Sequence, residues 1–238
     1  MPESNMRAPD DWNLFFREQA LSVADPRLQL FYANGVIAAD TPLAEVPFVA
    51  LDFETTGLDF ARDEIVSIGL VPFDLQRIRL REARHWLLTP RKALAEDSVV
   101  IHGITHSDIA GAPDLSERLA PLLEALAGRV AVVHYHTLER TFLNAALQRR
   151  VGEGICFPLV DTMEIEARQH RQGFSAGLRR FFGRKPASIR LADSRSRYHL
   201  PQYPLHDALA DALATAELLQ AQIRYHFSAD TPISELWL

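Results

Sequence analysis

The chain has 238 residues and a mass of 26.8 kDa, which predicts one large domain with an extension. Hydrophobic residues make up 47% and charged residues 24%, values that argue against disorder, collagen and coiled coil. Cysteine occurs only at Cys156, and no apolar run approaches the ~20 residues of a membrane span, so we expect neither disulfides nor membrane contact. The N-terminus has no apolar signal region, and a reducing cytoplasm is the expected compartment.

The charge is unevenly distributed along the chain. The net charge of −6 is not typical of a protein that coats nucleic acid, but residues 168–199 hold nine Arg or Lys and only one acid. This basic segment either binds a polyanion or is a solvated loop, and both interpretations stay open. If it binds a polyanion, the expected phosphate contacts are Arg179, Arg180, Arg184, Lys185, Arg190, Arg195 and Arg197.

The first half of the sequence predicts helices followed by strands. Residues 1–45 form the expected N-terminal helical extension, with two short helices interrupted at Pro26. The main domain, residues 46–238, starts with a predicted strand over 48–52. Strands over 65–73 and 78–88 follow with short connections, which is typical of an antiparallel meander.

The second half alternates helices and strands. The predicted helices cover 114–127 (N-cap Asp114), 137–150 (N-cap Thr137), a stretch from 162 onward, and 208 to about 225; the predicted strands cover 130–134 and 155–160. Residues 183–204 are rich in Arg, Ser and Pro and are predicted to be loop. The order predicts an α/β fold with a mixed five-stranded sheet flanked by helices.

Two carboxylates lie at the end of the first predicted strand. Asp52 and Glu54 are two positions apart, so their side chains share one face of an extended segment. Like charges at the end of a buried strand are unfavourable unless a cation neutralises them, and carboxylate oxygens suit Mg²⁺ or Mn²⁺. The alternative is a polar strand end that leads into a turn, and for this motif alone the alternative is favoured.

Further polar residues lie at two predicted helix starts. With Asp207 as N-cap, His206 and Asp211 occupy positions N′ and N4, which lie together at the start of the last helix. Glu139 lies in the first turn of the helix after the fourth strand. Because acids at these positions also complement the helix dipole, none of them alone indicates a site.

Taken in order, these residues resemble the motifs of the DEDDh exonucleases, a family that includes ribonuclease T and proofreading subunits of the epsilon type. The similar features are D-x-E-T-T-G from Asp52, I-H-G-I-T from Ile101, and H-x-x-x-x-D from His206. Asp161 also precedes Thr162 where such proteins often have an Asp-Thr pair. The resemblance covers about residues 46–226 and implies that the mixed sheet has a ribonuclease H-like fold.

One motif departs from the family pattern. The family usually has Asn-x-x-Phe-Asp where this chain has Tyr135 through Glu139, so Tyr replaces Asn and Glu replaces Asp. Glu is one methylene longer than Asp and can still reach a metal-bound water, so we expect a working variant. A degenerate, weakly active site is the alternative.

The resemblance implies 3′–5′ hydrolysis of DNA or RNA to nucleoside monophosphates with two divalent cations, Mg²⁺ or Mn²⁺. It implies that Asp52, Glu54, Asp211 and Glu139 are metal ligands and that His206 is the general base. The implied substrate contacts are Thr55, Thr56, Gly57, Leu58 and His102, although His102 is equally well explained as a structural loop histidine.

The expected partner is the 3′ end of a nucleic acid, preferentially single-stranded. A polymerase partner is not indicated, because only about a dozen residues follow the last predicted helix, which favours a free-standing nuclease. A nucleic-acid-binding or partner-docking module with a weakened site is the alternative function. The sequence does not distinguish DNA from RNA.

Overall fold

A mixed sheet of five strands forms the centre of the protein. The computed structural model describes residues 9–91, 102–171, 187–204 and 206–238. The strands are β1 (Phe48–Thr55), β2 (Ile65–Phe73), β3 (Arg84–Leu87), β4 (Val130–Val133) and β5 (Leu159–Asp161), in the order β3-β2-β1-β4-β5. β1, β2 and β3 are antiparallel neighbours, whereas β4 and β5 run parallel to β1. The predicted meander and mixed sheet are confirmed.

Seven α-helices lie in the described part of the chain. They are α1 (Trp12–Ser22), α2 (Pro26–Ala33), α3 (Leu115–Leu126), α4 (His136–Val151), α5 (Thr162–Arg171), α6 (Leu191–Arg197) and α7 (Ala208–His226). Single 3₁₀ turns occur at Leu43–Glu45, Leu80–Glu82 and Ile233–Glu235. None of the helices described is long and apolar enough to cross a bilayer.

The two faces of β1 bury different sets of helices. Val49, Leu51 and Phe53 belong to a core that includes α1 to α4. Phe48 and Ala50 belong to a second core with α5 and α7. Because side chains alternate along a strand, Asp52 and Glu54 continue the second face, where α7 covers the sheet.

The two N-terminal helices are confirmed. Asp11 caps α1 by accepting a hydrogen bond from the amide of Leu14 at 3.0 Å, and Pro26 occupies the first turn of α2 after its N-cap Asp25. Phe16, like the rest of this helix pair's apolar face, packs into the core that includes the first face of β1. The proposed division into residues 1–45 and 46–238 stays a prediction.

Two predicted strands have different limits. β3 covers Arg84–Leu87 rather than 78–88, because a 3₁₀ turn occupies Leu80–Glu82 and Ile78 makes only an isolated bridge to Phe73. β5 starts at Leu159 rather than at 155, directly after Pro158, which has no amide hydrogen to donate to the sheet.

Two predictions about helices were wrong. The cap of α4 is Tyr135 rather than Thr137, and its side chain makes no capping hydrogen bond. The stretch predicted as loop over 183–204 contains α6, apart from residues 183–186, which lie outside the described part of the chain. Arg195 and Arg197 of α6 form ion pairs with Glu217 and Glu166, and these contacts stabilise a helix that composition alone disfavours.

Candidate active site

The end of β1 supplies the first two carboxylates. Asp52 lies directly opposite Gly69 of β2, and Glu54 lies opposite Ser67. The register shifts between Glu54 and Thr55, so an irregularity ends the regular pairing at this point. Such irregularities re-aim side chains at strand ends, here directly after the predicted D-x-E motif.

Gly69 lets the start of α7 approach Asp52. A side-chain carbon placed on Gly69 would lie 2.0 Å from the carbonyl oxygen of Ala208, a distance that excludes any larger residue at unchanged backbone positions. Sequence analysis missed this residue. The available signal was a lone glycine inside an apolar strand, which indicates close approach of another backbone.

The first residues of α7 place His206 and Asp211 beside Glu54. Asp207 caps the helix by accepting from the amide of Ala210 at 2.8 Å, as predicted. His206 has a left-handed backbone, with φ of 65°, and its amide donates to Asp211 Oδ2 at 2.9 Å. One potential ligand atom each from Glu54, His206 and Asp211 lies within 4.8 Å of the others.

Glu139 reaches the same site from α4. It is 3% exposed, and its Oε2 has no hydrogen-bond partner in the described structure. Burial is the main cause that raises the pKa of Asp52, and the charge of Glu139 is the next. The group of ligand atoms within 4.8 Å of one another contains neither Asp52 nor Glu139. The sequence pattern had this acid in the first turn of the helix, and it lies there.

Asp161, a further acid near this site, accepts hydrogen bonds from the start of α4. Its carboxylate accepts from the amides of Tyr135 at 3.0 Å, His136 at 2.8 Å and Met163 at 2.8 Å. The ring Nδ1 of His136 lies 2.8 Å from the same carboxylate. These hydrogen bonds give Asp161 a structural role, and they lower its pKa although burial opposes them.

The carboxylates of the cluster resist ionisation together. Desolvation is the main cause that raises the pKa of Asp52, Glu54, Glu139 and Asp211, and neighbouring acids add to it. Burial, with the charges of Asp211 and Asp207, raises the pKa of Glu54 to about 7. Protein cations offset this charge only in part: the charges of His206 and Arg195 lower the pKa of Asp211 against the effect of burial. The Arg ion pairs of the described residues go to other acids, such as Glu64, Glu166 and Glu217.

Divalent cations fit these residues. Oδ1 of Asp211 and Oε2 of Glu139 are buried and have no partner within the described part of the chain, so two ligand oxygens are free. Oxygen-rich, negatively charged sites suit Mg²⁺ or Mn²⁺, and a cation would offset the repulsion that raises these pKa values. A ring nitrogen of His206 lies within 4.8 Å of the carboxylate oxygens of Glu54 and Asp211, close enough for all three to bind one cation. Geometry alone therefore does not decide whether His206 is a general base or a metal ligand.

The four predicted substrate residues after Glu54 form a tight loop. The hydroxyl of Thr55 donates to the carbonyl of Gly57 at 2.7 Å, and the hydroxyl of Thr56 donates to Asp63 at 3.1 Å. A side-chain carbon on Gly57 would lie 2.4 Å from the carboxylate of Asp63, so a larger residue here would displace that carboxylate from the loop. Leu58 is 83% exposed at the tip of the loop.

Arg149, at the other end of α4, holds this loop. Its guanidinium donates to the carbonyls of Phe60 at 2.6 Å and Asp63 at 3.0 Å. The same helix therefore carries Glu139 in its first turn and an anchor for the loop in its last turn. This link between the two parts of the site was not foreseen from sequence.

His102 lies near His206, whose charge contributes to lowering the pKa of His102 after the larger effect of burial. Its Nδ1 accepts from the amide of Ile104 at 3.0 Å, which leaves Nε2 as the protonated nitrogen. Nε2 is buried and has no partner among the residues described. The histidine therefore keeps one donor available beside the cluster.

Of the three described residues among the predicted phosphate contacts, two are engaged by other groups of the protein. Arg195 is 2% exposed and donates to Glu217 and to the carbonyls of Ala214 and Pro201, so it is not available to a ligand. Arg197 is paired with Glu166. Arg190 is exposed. The remaining predicted contacts, Arg179, Arg180, Arg184 and Lys185, lie outside the described residues.

Comparisons with known proteins show the family of the chain. The exonuclease family model of the ribonuclease T type matches residues 49–219. The DNA polymerase III subunit epsilon of Treponema pallidum is 30% identical over 181 residues, which cover 76% of this chain and 78% of that protein. An epsilon-like protein of Rhodobacter capsulatus is 30% identical over 180 residues, but this chain spans only 24% of its length.

A solved structure shows the same fold. The nuclease domain of 3′hExo, a DEDDh family member bound to rAMP, superposes with a TM-score of 0.61 at 14% identity. The superposition covers 79% of this chain and 96% of that domain, which confirms the ribonuclease H-like fold. With the family match over most of the sheet and the acids gathered at the end of β1, the chain belongs to the DEDDh exonuclease family and is a nuclease.

Proposed function

We propose that the protein is a metal-dependent 3′–5′ exonuclease that releases nucleoside monophosphates from DNA or RNA. The observation that carries this proposal is the cluster at the end of β1, where ligand atoms of Glu54, His206 and Asp211 lie within 4.8 Å of one another. After burial, the charges of Glu139, Asp211 and Glu54 raise the pKa of Asp52. Neighbouring carboxylates with raised pKa values are typical of a functional site.

Each residue of the cluster has a proposed role. Asp52, Glu54, Asp211 and Glu139 hold two divalent cations, which supply charge stabilisation for the phosphoryl group and its leaving oxygen. The imidazole of His206 takes the proton from the attacking water as the general base, because a ring nitrogen can accept a proton and lies beside Glu54 and Asp211. The water oxygen forms a bond to phosphorus as the bond to the 3′ oxygen breaks, and that oxygen gains a proton from solvent.

The loop after Glu54 is proposed to bind the terminal nucleotide. Thr55, Thr56 and Gly57 are held by hydrogen bonds inside the loop, so their backbone is preorganised for a ligand. Leu58, largely exposed, is proposed to contact the terminal base. His102 is proposed as a second contact through its free Nε2 donor.

The experiment compares two labels on one single-stranded substrate, made both as DNA and as RNA. With Mg²⁺ or Mn²⁺ we expect a 5′ label to remain on a ladder of shortening products and a 3′ label to be released at once as a mononucleotide. EDTA should stop both reactions, and an Asp52→Asn protein prepared in parallel serves as the control for a contaminating nuclease.

Three outcomes would contradict parts of the proposal. Activity that survives chelation rules out the cation role, and release of a 5′ label first rules out the direction. A protein that binds the oligonucleotide but leaves it intact with both metals supports the alternative binding module. The cytoplasmic location stays a prediction, and a polymerase partner stays possible but not indicated.

A further inference from the structure

The residue before α4 has an unusual backbone. Tyr135 has φ of 99° and ψ of 71°, a left-handed conformation that side-chain-bearing residues rarely adopt. Gly or Asn would fit this backbone with less strain. The chain nevertheless has a large aromatic residue here, and its side chain makes no capping hydrogen bond to the helix.

Asp161 holds this conformation in place. It is 3% exposed and accepts the amides of Tyr135 and His136, at 3.0 and 2.8 Å. The surrounding structure therefore fixes a backbone that the residue itself disfavours. Strain that is held in this manner clusters at functional sites, which makes the Tyr135 side chain a candidate for a direct role.

The ring of Tyr135 is partly open to solvent, and its hydroxyl has no partner among the described residues. The residue is 47% exposed, and within the described part of the chain its hydroxyl makes no hydrogen bond. Three other tyrosine hydroxyls do: Tyr32 contacts Cys156, Tyr198 contacts Glu166 and Tyr203 contacts Glu217. Those tyrosines are part of the folded framework, whereas the Tyr135 ring is available to a ligand.

The position of Tyr135 is beside the catalytic cluster. It follows β4 by two residues, and β4 runs parallel to β1, so Tyr135 lies at the same edge of the sheet as Glu54. It is the N-cap of α4, and Glu139 lies in the first turn of the same helix. The exposed ring therefore belongs to the same edge of the sheet as the acids that would hold the ligand.

We propose that the ring of Tyr135 is a stacking surface for one unpaired base among the last two nucleotides of the substrate. This inference rests on the proposed nuclease function. Aromatic rings stack on any base through its π-face, so the contact adds affinity without sequence preference. It also favours an unpaired 3′ end, because a paired base cannot present its face to the ring.

The test measures the energetic coupling between Tyr135 and each terminal base. Tyr135→Phe, Tyr135→Leu and Tyr135→Asn are compared on an intact single strand and on strands with an abasic site at the last or the penultimate position. KM comes from degradation by otherwise native proteins. Kd comes from anisotropy of a 5′-fluorescent strand with the same changes in a His206→Ala background, which needs no turnover.

We expect Tyr135→Leu to raise KM and Kd about tenfold, with little change in kcat, and Tyr135→Phe to restore wild-type values. On one of the two abasic strands the difference between Tyr135 and Leu should disappear. Tyr135→Asn should weaken binding equally while it raises Tm by roughly 2–4 °C, because it relieves the backbone strain. If Tyr135 had a purely structural role, a variant with a higher Tm would not bind the strand more weakly.

Two results would overturn the inference. Wild-type KM and Kd in Tyr135→Leu would show that the ring touches no substrate. If Tyr135→Leu weakens binding to both abasic strands as much as it weakens binding to the intact strand, the ring touches no base. Failure of the proposed function gives a different result, namely an unmodified protein that binds the strand and does not degrade it. The coupling in Kd still decides the role of Tyr135 in that case.

Discussion

Two groups of buried acids on the α7 side of the sheet behave in opposite ways. Glu166 of α5 is fully buried, but hydrogen bonds from Gln222, Tyr198 and Arg197 lower its pKa against the effect of burial. Glu54 is 8% exposed, and burial together with neighbouring acids raises its pKa to about 7. Both residues are buried glutamates, and burial alone would raise both pKa values, so the neighbours decide the difference.

The comparison separates structural acids from functional ones. Glu166 is surrounded by donors, with Tyr198 at 2.7 Å and both Gln222 and Arg197 Nε at 2.9 Å. In the cluster at the end of β1, oxygens of Asp211 and Glu139 have no partner in the described structure. A carboxylate that the protein leaves without a partner and surrounds with like charges favours a ligand of opposite charge, and under the proposed function divalent cations would fill this role.

Asp52→Asn gives the largest expected effect. Activity should fall below detection because the cluster loses a ligand charge, while Tm in EDTA should stay unchanged or rise because repulsion is relieved. Single-turnover degradation and thermal unfolding in EDTA measure the two effects. Asp114→Asn is the matched control, since Asp114 is held by Arg150 at 2.9 Å, and it should lower Tm and keep activity. A lower Tm in both variants would end the distinction between the two groups.

His206→Ala should lower kcat by about 10²–10⁴ while metal affinity is largely retained, because a general base is lost and no ligand. Glu54→Gln should weaken Mn²⁺ binding, measured by calorimetry. His199→Ala is the control, since His199 is also a non-glycine with a left-handed backbone, φ of 55°, and should keep kcat. If His206→Ala and Glu54→Gln lose Mn²⁺ equally, His206 is a ligand, as its place within 4.8 Å of Glu54 and Asp211 allows.

Glu166→Gln tests the other group of acids. It removes the charge that pairs with the guanidinium of Arg197, and it should destabilise the protein by about 3 kcal/mol. Urea unfolding measures this change. Glu164→Gln, on the same helix, breaks a solvent-exposed pair with Arg168 and should change stability by less than about 1 kcal/mol. Equal effects would mean that the buried network contributes no more than a surface pair.

The same comparison explains what sequence could predict. D-x-E at a strand end and His206 with Asp211 at a helix start are local patterns, and their periodicity fixes which side chains lie together. The order of strands follows from short connections and crossovers. These features were therefore predictable without knowledge of distant contacts.

Features that depend on tertiary partners were not predictable. The composition of the basic segment predicts arginines that are open to solvent or to a polyanion. Arg195 and Arg197 instead form ion pairs with Glu217 and Glu166 from distant parts of the chain. α6 forms in a stretch that composition marks as loop for the same reason. The N-cap residue of α4 is Tyr135, but the side chain that caps the helix is Asp161. Its carboxylate accepts hydrogen bonds from amides that lie at least 25 residues earlier in the chain.

Glu139→Gln tests the member of the acidic cluster that departs from the family pattern. It removes one charge at nearly constant volume and should reduce kcat/KM about 10- to 100-fold. Glu139→Asp should lose less, and it should use Mg²⁺ relative to Mn²⁺ at least as well as the native protein, because Mg²⁺ demands stricter geometry. Rates with each metal over a concentration series measure both effects. Full activity of Glu139→Gln with both metals would show that Glu139 only complements the helix dipole. Asp161 would then be the next candidate for the fourth acid, but its carboxylate already accepts hydrogen bonds from the amides at the start of α4.

The smallest effect is on the pH dependence of stability without metal. Burial and the charges of Asp211 and Asp207 raise the pKa of Glu54 from 4.5 to about 7 in the folded protein. Between these values the folded state holds a proton that the unfolded chain has lost, so this contribution is complete below about pH 4.5 and is lost as the pH rises through about 7.

Thermal unfolding in EDTA from about pH 5 to about pH 8 measures this loss. Tm of the native protein should fall by a few degrees more than Tm of Glu54→Gln, whose amide does not titrate, while the exposed-site variant Glu164→Gln should follow the native curve. Saturating Mn²⁺ should oppose the fall, because a cation binds the deprotonated cluster of the folded state only. Parallel curves for the native protein and Glu54→Gln would contradict the raised pKa, and with it the view that these acids are held together against their own charge.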